Sequence, residues 1–180
     1  MSNVKDFIQI SDHVFDPTFI SYMVRYFNTQ ENFRDASIVS NKGNEVDKKI
    51  RDVKDYPLSK NRSELTSVYI NNIVTDTVLA GIRQYSGKHP FVLKYGVGGH
   101  YKWHVDAGTT LNRSLSVIIT LNNDYEGGNL LFSPTQEKED QITIKPGVGK
   151  MIIWPSNFMY PHQVEPITKG KRYSIVGWLW

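Results

Sequence analysis

The sequence predicts a mostly β protein with its helices confined to the N-terminal part, an α+β arrangement, on three observations. From Phe91 to the C-terminus, short apolar stretches recur at regular spacing, each ended by Gly, Pro, Asn or Asp. Helical spacing of apolar residues is found upstream, around residues 16–27 and 63–85. Aromatic residues make up 12% of the 180, with ten Tyr and four Trp, a bias that suits pleated sheets and side-chain-lined cavities.

The first helix is expected to start at Asp16, a good N-cap, with Pro17 at the first helical position, where its missing N–H costs nothing. Phe19, Met23 and Phe27 form its apolar stripe. Residues 36–60 read as strands and a long polar loop. The densest basic stretch, Lys42 to Arg62, lies here, but Glu45, Asp47, Asp52 and Asp55 interrupt it, as in a solvated loop and not a phosphate-binding surface. A second helix is expected over about residues 63–85. Leu65, Tyr69 and Ile73 form one row, and Ile70, Val74, Val78 and Ile82 form another beside it. Gly87 is its stop signal, while its β-branched content weighs against a helix. The strand series follows: PFVLKYG, HYKWHVD, SLSVIITLN, GGNLLFSP, QITIKPG, GKMIIWPS, HQVEPI and RYSIVGWLW. About eight short strands suggest a barrel or jelly-roll sandwich, with the helices packed on one face of a sheet.

The length fits one domain over residues 1–180, with 1–89 as helical and strand support and 90–180 as the β core. Cysteine is absent, which excludes disulfides, thiol catalysis, Fe–S clusters and Cys-based zinc sites. No apolar run reaches the length of a membrane span. The start, MSNVKDFIQISD, lacks the pattern of a signal peptide, so a cytoplasmic location without membrane contact is expected. The net charge of +3 is mild, and without a basic cluster no nucleic-acid partner is expected. The sequence sets no oligomeric state.

The chemistry concentrates in the second half. His104 and Asp106 are two residues apart, so on a strand they project from the same face. His162 can return to the same cavity from another strand. Two His and one carboxylate on one face of an octahedron are the facial triad of non-haem Fe(II) oxygenases. Three open positions remain, two for a chelating co-substrate and one for O2. His13, His89 and His100 read as structural. His100 shares the parity of His104, and strand irregularity near Gly98 and Gly99 is expected to turn it away. Arg172 follows His162 by ten positions, with Gly170 supplying a turn, so it is expected on the next strand, antiparallel to that of His162. Its planar guanidinium suits a carboxylate, which points to an anionic co-substrate.

The segments YGVGGHYKWHVD, RSLSVIITLNNDYEGGNLLF and HQVEPITKGKRYSIVGW together resemble the 2-oxoglutarate- and Fe(II)-dependent oxygenases, specifically the prolyl 4-hydroxylase-like branch. The match covers about half of the chain, Phe91 to Trp180. The resemblance implies a double-stranded β-helix. It implies Fe(II) on His104, Asp106 and His162, and 2-oxoglutarate paired with Arg172 and hydrogen-bonded by Tyr95 and Thr120. O2 would be the oxidant, and ascorbate joins the implied cofactors. It places Arg113 and Trp178 at the substrate entrance, with Tyr101 and Trp103 beside the metal strand. The implied substrate is a prolyl residue in a peptide or protein, and residues 42–62 fall where relatives carry a mobile segment over it. A carboxylate at position 106 leaves no ligand position for a halide. Two other readings remain: hydroxylation of a free amino acid or other small molecule, and a cupin-like Zn or Mn protein of different chemistry. The latter has no need of an anchor such as Arg172.

Overall fold

The structure, a computed structural model, describes residues 4–40, 42–58, 66, 69, 70, 72–74, 90–108, 111–135 and 138–179. Helix α1 spans Pro17–Thr29, and Asp16 caps it by accepting the Thr18 N–H at 2.8 Å. Its buried stripe is Ile20, Met23 and Phe27. The stripe follows three- and four-residue steps, so Ile20 takes the inward place expected for Phe19, which is half-buried edge-on to Phe15. Residues 66, 69, 70 and 72–74 are helical, as expected. Ile70 and Val74 are fully buried whereas Tyr69 is 55% exposed, so the second apolar row faces the core. The rest of that helix, and the stop at Gly87, lie outside the described residues.

Two antiparallel sheets carry the remainder. The strands are β1 (Gln9–Ser11), β2 (Arg34–Asp35), β3 (Ile38–Ser40), β4 (Gly43–Glu45), β5 (Arg51–Asp52), β6 (Lys54–Pro57), β7 (Phe91–Tyr95) and β8 (His100–His104). They continue with β9 (Leu115–Thr120), β10 (Glu126–Gly127), β11 (Leu130–Phe132), β12 (Ile142–Ile144), β13 (Met151–Pro155), β14 (His162–Val164), β15 (Ile167–Lys169) and β16 (Arg172–Leu179). The major sheet has the order β1-β13-β9-β16-β7-β6-β2 and the minor sheet β12-β11-β14-β8-β5. β3 and β4 form a hairpin, and β10 pairs with β15. The chain is thus a mostly β jelly roll of two sheets with helices on one side.

The two-residue period of the strands builds the core in two layers. Val92, Val117, Ile119, Tyr173 and Ile175 point from the major sheet towards α1, Ile70 and Val74. Their neighbours Leu93, Ile118 and Val176 point the other way, into the space between the sheets, where they meet Phe132, Ile144 and Val164 of the minor sheet. That second space holds the site.

Three expectations are corrected. The stretch 42–57 is not a long polar loop but carries β4, β5 and β6. Val53 and Tyr56 are buried, and Glu45, Arg51, Asp52, Lys54 and Asp55 lie on these short strands, of which β5 forms a sheet edge, where unpaired backbone favours charged side chains. HQVEPI divides into β14 and β15 at Glu165 and Pro166. Arg172 does not lie on a strand paired with that of His162. β14 sits between β11 and β8 in the minor sheet, and β16 between β9 and β7 in the major one. β15 and the turn at Gly170 carry the chain across. Gly170 has φ +78°, and a Cβ there would come within 2.5 Å of the Asp124 carbonyl oxygen. Among the described residues, no helix is long and apolar enough to cross a membrane.

Candidate active site

His104 ends β8 and His162 begins β14, and the two residues pair directly across the minor sheet. The next pair is Val164 with Tyr101, so β8 carries one residue more than β14 over this stretch. That bulge rotates the face of the strand. It puts Tyr101, and not Lys102, in phase with His104, and the two rings stack with centroids 3.5 Å apart at 17°. It also takes His100 off the face, and His100 turns to the carbonyls of Gly98 and Lys49. Asp106 follows just beyond the strand end.

His104, Asp106 and His162 each place one ligand atom within 4.8 Å of the others. Nε2 of His104 is 3.7 Å from Asp106 Oδ1, and Nε2 of His162 is 3.5 Å from Oδ2. Both imidazoles have Nδ1 against a backbone carbonyl, His104 on Lys102 at 2.7 Å and His162 on Tyr160 at 3.0 Å. A carbonyl only accepts, so Nδ1 carries the proton and Nε2 is bare in the neutral ring. Burial, then the His162 neighbour, pushes the His104 pKa down to about 3, which keeps it neutral. Burial works against a charge on Asp106, but His162, His104, the Ser116 hydroxyl and Arg113 hold its carboxyl below the usual range. In the neutral rings, two bare nitrogens therefore face an ionised carboxylate. Such a cluster of acceptors is repulsive unless a cation lies among them, so these residues fit a divalent metal.

Asp106 is held from behind. Ser116 Oγ donates to its Oδ2 at 2.6 Å, and Ser156 Oγ lies 2.7 Å from Ser116 Oγ. Ser116 has spent its proton, so Ser156 donates to it. Both serines are buried. Neither was anticipated from sequence, although Ser116 has the inward parity of Ile118 and Thr120.

On the same face of the major sheet lies a group of buried polar atoms without partners. Arg172 is fully buried, and among the described residues none of its three guanidinium nitrogens has a hydrogen-bond partner. It pairs in register with Tyr95, and its Cζ lies 5.2 Å from the Tyr95 ring centroid. Burial raises the Tyr95 phenol pKa, which Arg172 opposes only in part, so the hydroxyl remains a donor. Thr120 and Ser174 pair across β9 and β16, and both hydroxyls are buried and unpartnered. Tyr125 adds a third such hydroxyl. Ser174 and Tyr125 escaped the sequence reading, though Ser174 shares the parity of Arg172. Gly128, at φ +66°, packs against this group: a Cβ there would lie 2.4 Å from Ile167 Cδ1 and 3.3 Å from Arg172 Cδ. Buried polar groups are nearly always paired, so four residues left short together, Arg172, Thr120, Ser174 and Tyr125, mark a place for a polar ligand.

A cleft of about 960 Å³ opens onto the His104 and Asp106 side of this space. Arg113 and Trp178 stand on it as a stacked pair, the guanidinium 3.7 Å from the ring centroid. Arg113 Nη1 also donates to the Asp106 carbonyl at 3.2 Å. Tyr101 lines the cleft with Arg51 above its ring at 4.7 Å. Trp103, expected beside them, is 41% exposed and does not line it. Ile38, Val39 and Ser40 of β3 border the cleft, so its wall is the β3–β4 hairpin, while residues 59–62 of the expected mobile segment lie outside the described residues. His89 also lies outside them.

Comparison with known proteins agrees with this geometry. Residues 90–180 match the 2OG-Fe(II) oxygenase superfamily. Human prolyl 3-hydroxylase 2 is 38% identical over 66 residues, 37% of this chain and 9% of that protein. A PKHD-type hydroxylase of Gloeothece citriformis is 33% identical over 92 residues, 48% of this chain and 40% of that protein. The chain thus spans less than half the length of these curated relatives. Among solved structures, a Pseudomonas putida prolyl-4-hydroxylase superposes with a TM-score of 0.70 at 18% identity, covering 98% of this chain and 96% of that one. A Trichoplax adhaerens prolyl hydroxylase, solved with a hypoxia inducible factor peptide, has a TM-score of 0.73 at 19% identity and covers 96% of this chain and 82% of that one. At these identities the structures share the fold.

Proposed function

The chain belongs to the 2OG-Fe(II) oxygenase superfamily, and from that premise we propose that it is a 2-oxoglutarate-dependent dioxygenase that hydroxylates a prolyl residue in a peptide or protein. The observation that carries the reading is the facing of two proton-free imidazole nitrogens and one carboxylate, all within 4.8 Å. His104, Asp106 and His162 would hold Fe(II), which would supply the redox chemistry by which O2 oxidises 2-oxoglutarate to succinate and CO2 and one oxygen atom passes to the substrate.

The chain's own residues bind, orient and exclude water. The Lys102 and Tyr160 carbonyls hold the two imidazoles with Nε2 inward. Ser116 and Ser156 hold the Asp106 carboxylate in one orientation. Arg172 pairs with the far carboxylate of 2-oxoglutarate, and Thr120, Ser174 and Tyr95 offer hydroxyls beside it. The apolar walls formed by Phe132, Trp154 and Val164 keep water from the site. Arg113 and Trp178 line the cleft through which a peptide reaches the metal side. Arg172 and its partnerless nitrogens favour this chemistry over metal-assisted hydrolysis, which needs no dicarboxylate anchor.

Succinate release with Fe(II), O2 and a panel of proline-containing peptides, alongside a peptide mass gain of one oxygen, tests the reading. Succinate coupled to a peptide product is expected. Conversion of 2-oxoglutarate with none of the peptides, but with a free amino acid, would move the substrate class; no conversion under any condition would overturn the proposal.

A further inference from the structure

We propose that the cleft selects peptide segments carrying a carboxylate beside the residue to be oxidised, and that Arg51 recognises that carboxylate. The inference deepens the reading above and rests on it.

Among the described residues, five charged groups line the cleft: Arg34, Arg51, Arg113, Asp55 and Asp106. Arg34 is neutralised by Asp55, with Nε 2.7 Å from Oδ1. Asp106 faces the two histidines. When the site is loaded as proposed, the charges of the metal, Asp106, 2-oxoglutarate and Arg172 cancel. Two guanidiniums are then left facing the cleft, Arg51 and Arg113.

They are not equivalent. Arg113 shares Asp106, whose Oδ1 lies 3.8 Å from its Nη1. Among the described residues, no carboxylate is paired with Arg51. Yet Arg51 is held as firmly as a binding residue needs to be. Its Nη1 donates to the Ser37 carbonyl at 2.7 Å, and its plane rests over Tyr101, which in turn stacks on His104. Its Nε is buried without a partner. Arg51 thus presents a fixed, partly unsatisfied fork one ring away from a proposed metal ligand. An arginine placed to read a backbone carbonyl alone needs no second cation close by, and this one adds its repulsion to Arg113. A carboxylate on the incoming segment removes that repulsion and satisfies the fork. Ile38, Val39 and Leu111 add apolar lining to the cleft, which suits a peptide chain and not a polyphosphate.

The test uses the full chain loaded with Mn(II) and 2-oxoglutarate. Fluorescein-labelled proline peptides differ only in Glu, Gln or Lys at each of the two positions on either side of the proline, and binding is read by anisotropy. At one of those positions the Glu peptide is expected to bind at least ten-fold more tightly than the Gln peptide, with the difference shrinking as salt rises. Arg51→Gln is expected to bring the two within two-fold, Arg51→Lys to keep part of the preference, and Arg51→Glu to favour the Lys peptide. Equal affinity for the Glu and Gln peptides in the unmodified protein, including no binding of either, overturns the inference. So does a preference that survives in Arg51→Gln. Calorimetric titration of 2-oxoglutarate into the same Mn(II) samples separates the two levels: if 2-oxoglutarate fails to bind, the dioxygenase reading itself falls.

Discussion

Replacing Arg172 by Met separates binding from folding in one experiment. The side chain is fully buried with three unpartnered nitrogens. A charged partner lost from a buried carboxylate costs about 2–5 kcal/mol. At about 1.4 kcal/mol per factor of ten, the requirement for 2-oxoglutarate should rise about 30-fold to several thousand-fold. The ligand-free protein should respond in the opposite direction. An unpaired buried cation is a burden on the fold, and an apolar side chain of similar length removes it, an exchange that is neutral or stabilising by about 1–4 kcal/mol. Thermal unfolding with and without 2-oxoglutarate, in Mn(II), measures both. Arg172→Met should melt at or above the unmodified protein in the absence of 2-oxoglutarate and lose the upward shift that 2-oxoglutarate gives. An undiminished shift would refute the anchor. Strong destabilisation of the ligand-free variant would show that Arg172 serves the fold.

Ser116→Ala removes the hydrogen bond behind Asp106 and should weaken Mn(II) binding about 10- to 100-fold, with the fold retained; unchanged affinity in a metal titration would contradict the positioning role. Gly128→Ala should lower thermal stability by about 1–3 kcal/mol, since its Cβ would lie 2.4 Å from Ile167 Cδ1 in a left-handed conformation, and a melting temperature equal to that of the unmodified protein would show that the turn gives way. The His104 pKa, depressed to about 3 from 6.5, means the folded protein binds fewer protons than the unfolded chain across that window. Its contribution is therefore complete above pH 6.5 and is lost as pH falls towards 3. Metal-free protein should lose more stability between pH 7.5 and 5 than His104→Phe does; equal losses in denaturant titrations would place the pH dependence elsewhere.

The strand series from Phe91 onward was legible because alternation and turn residues are local signals, and all eight candidate segments carry strands. His104 and Asp106 were legible for a similar reason, since two residues so close along the chain need no long-range information, although Asp106 lies just past the end of β8. Sheet membership is long-range, which is why the strand of Arg172 was placed beside that of His162 when it lies in the opposite sheet. Ser116 and Ser174 have small side chains that no motif marks, yet the parity of their strands would have found them. Arg51 was hidden in a stretch of mixed charge that reads as a solvated loop; only the pairing of β5 with β8 brings it over Tyr101. The bulge on β8 has no signature in HYKWH, and it alone decides that Tyr101, and not His100, joins the site.

Anaerobic addition of Fe(II) to protein mixed with 2-oxoglutarate, followed by visible absorption, measures the convergence of metal and co-substrate at one place. The account predicts a charge-transfer band that needs both additions, saturates at one iron per chain, and disappears in Asp106→Ala. A band that persists in Asp106→Ala, or none in the unmodified protein, would contradict it.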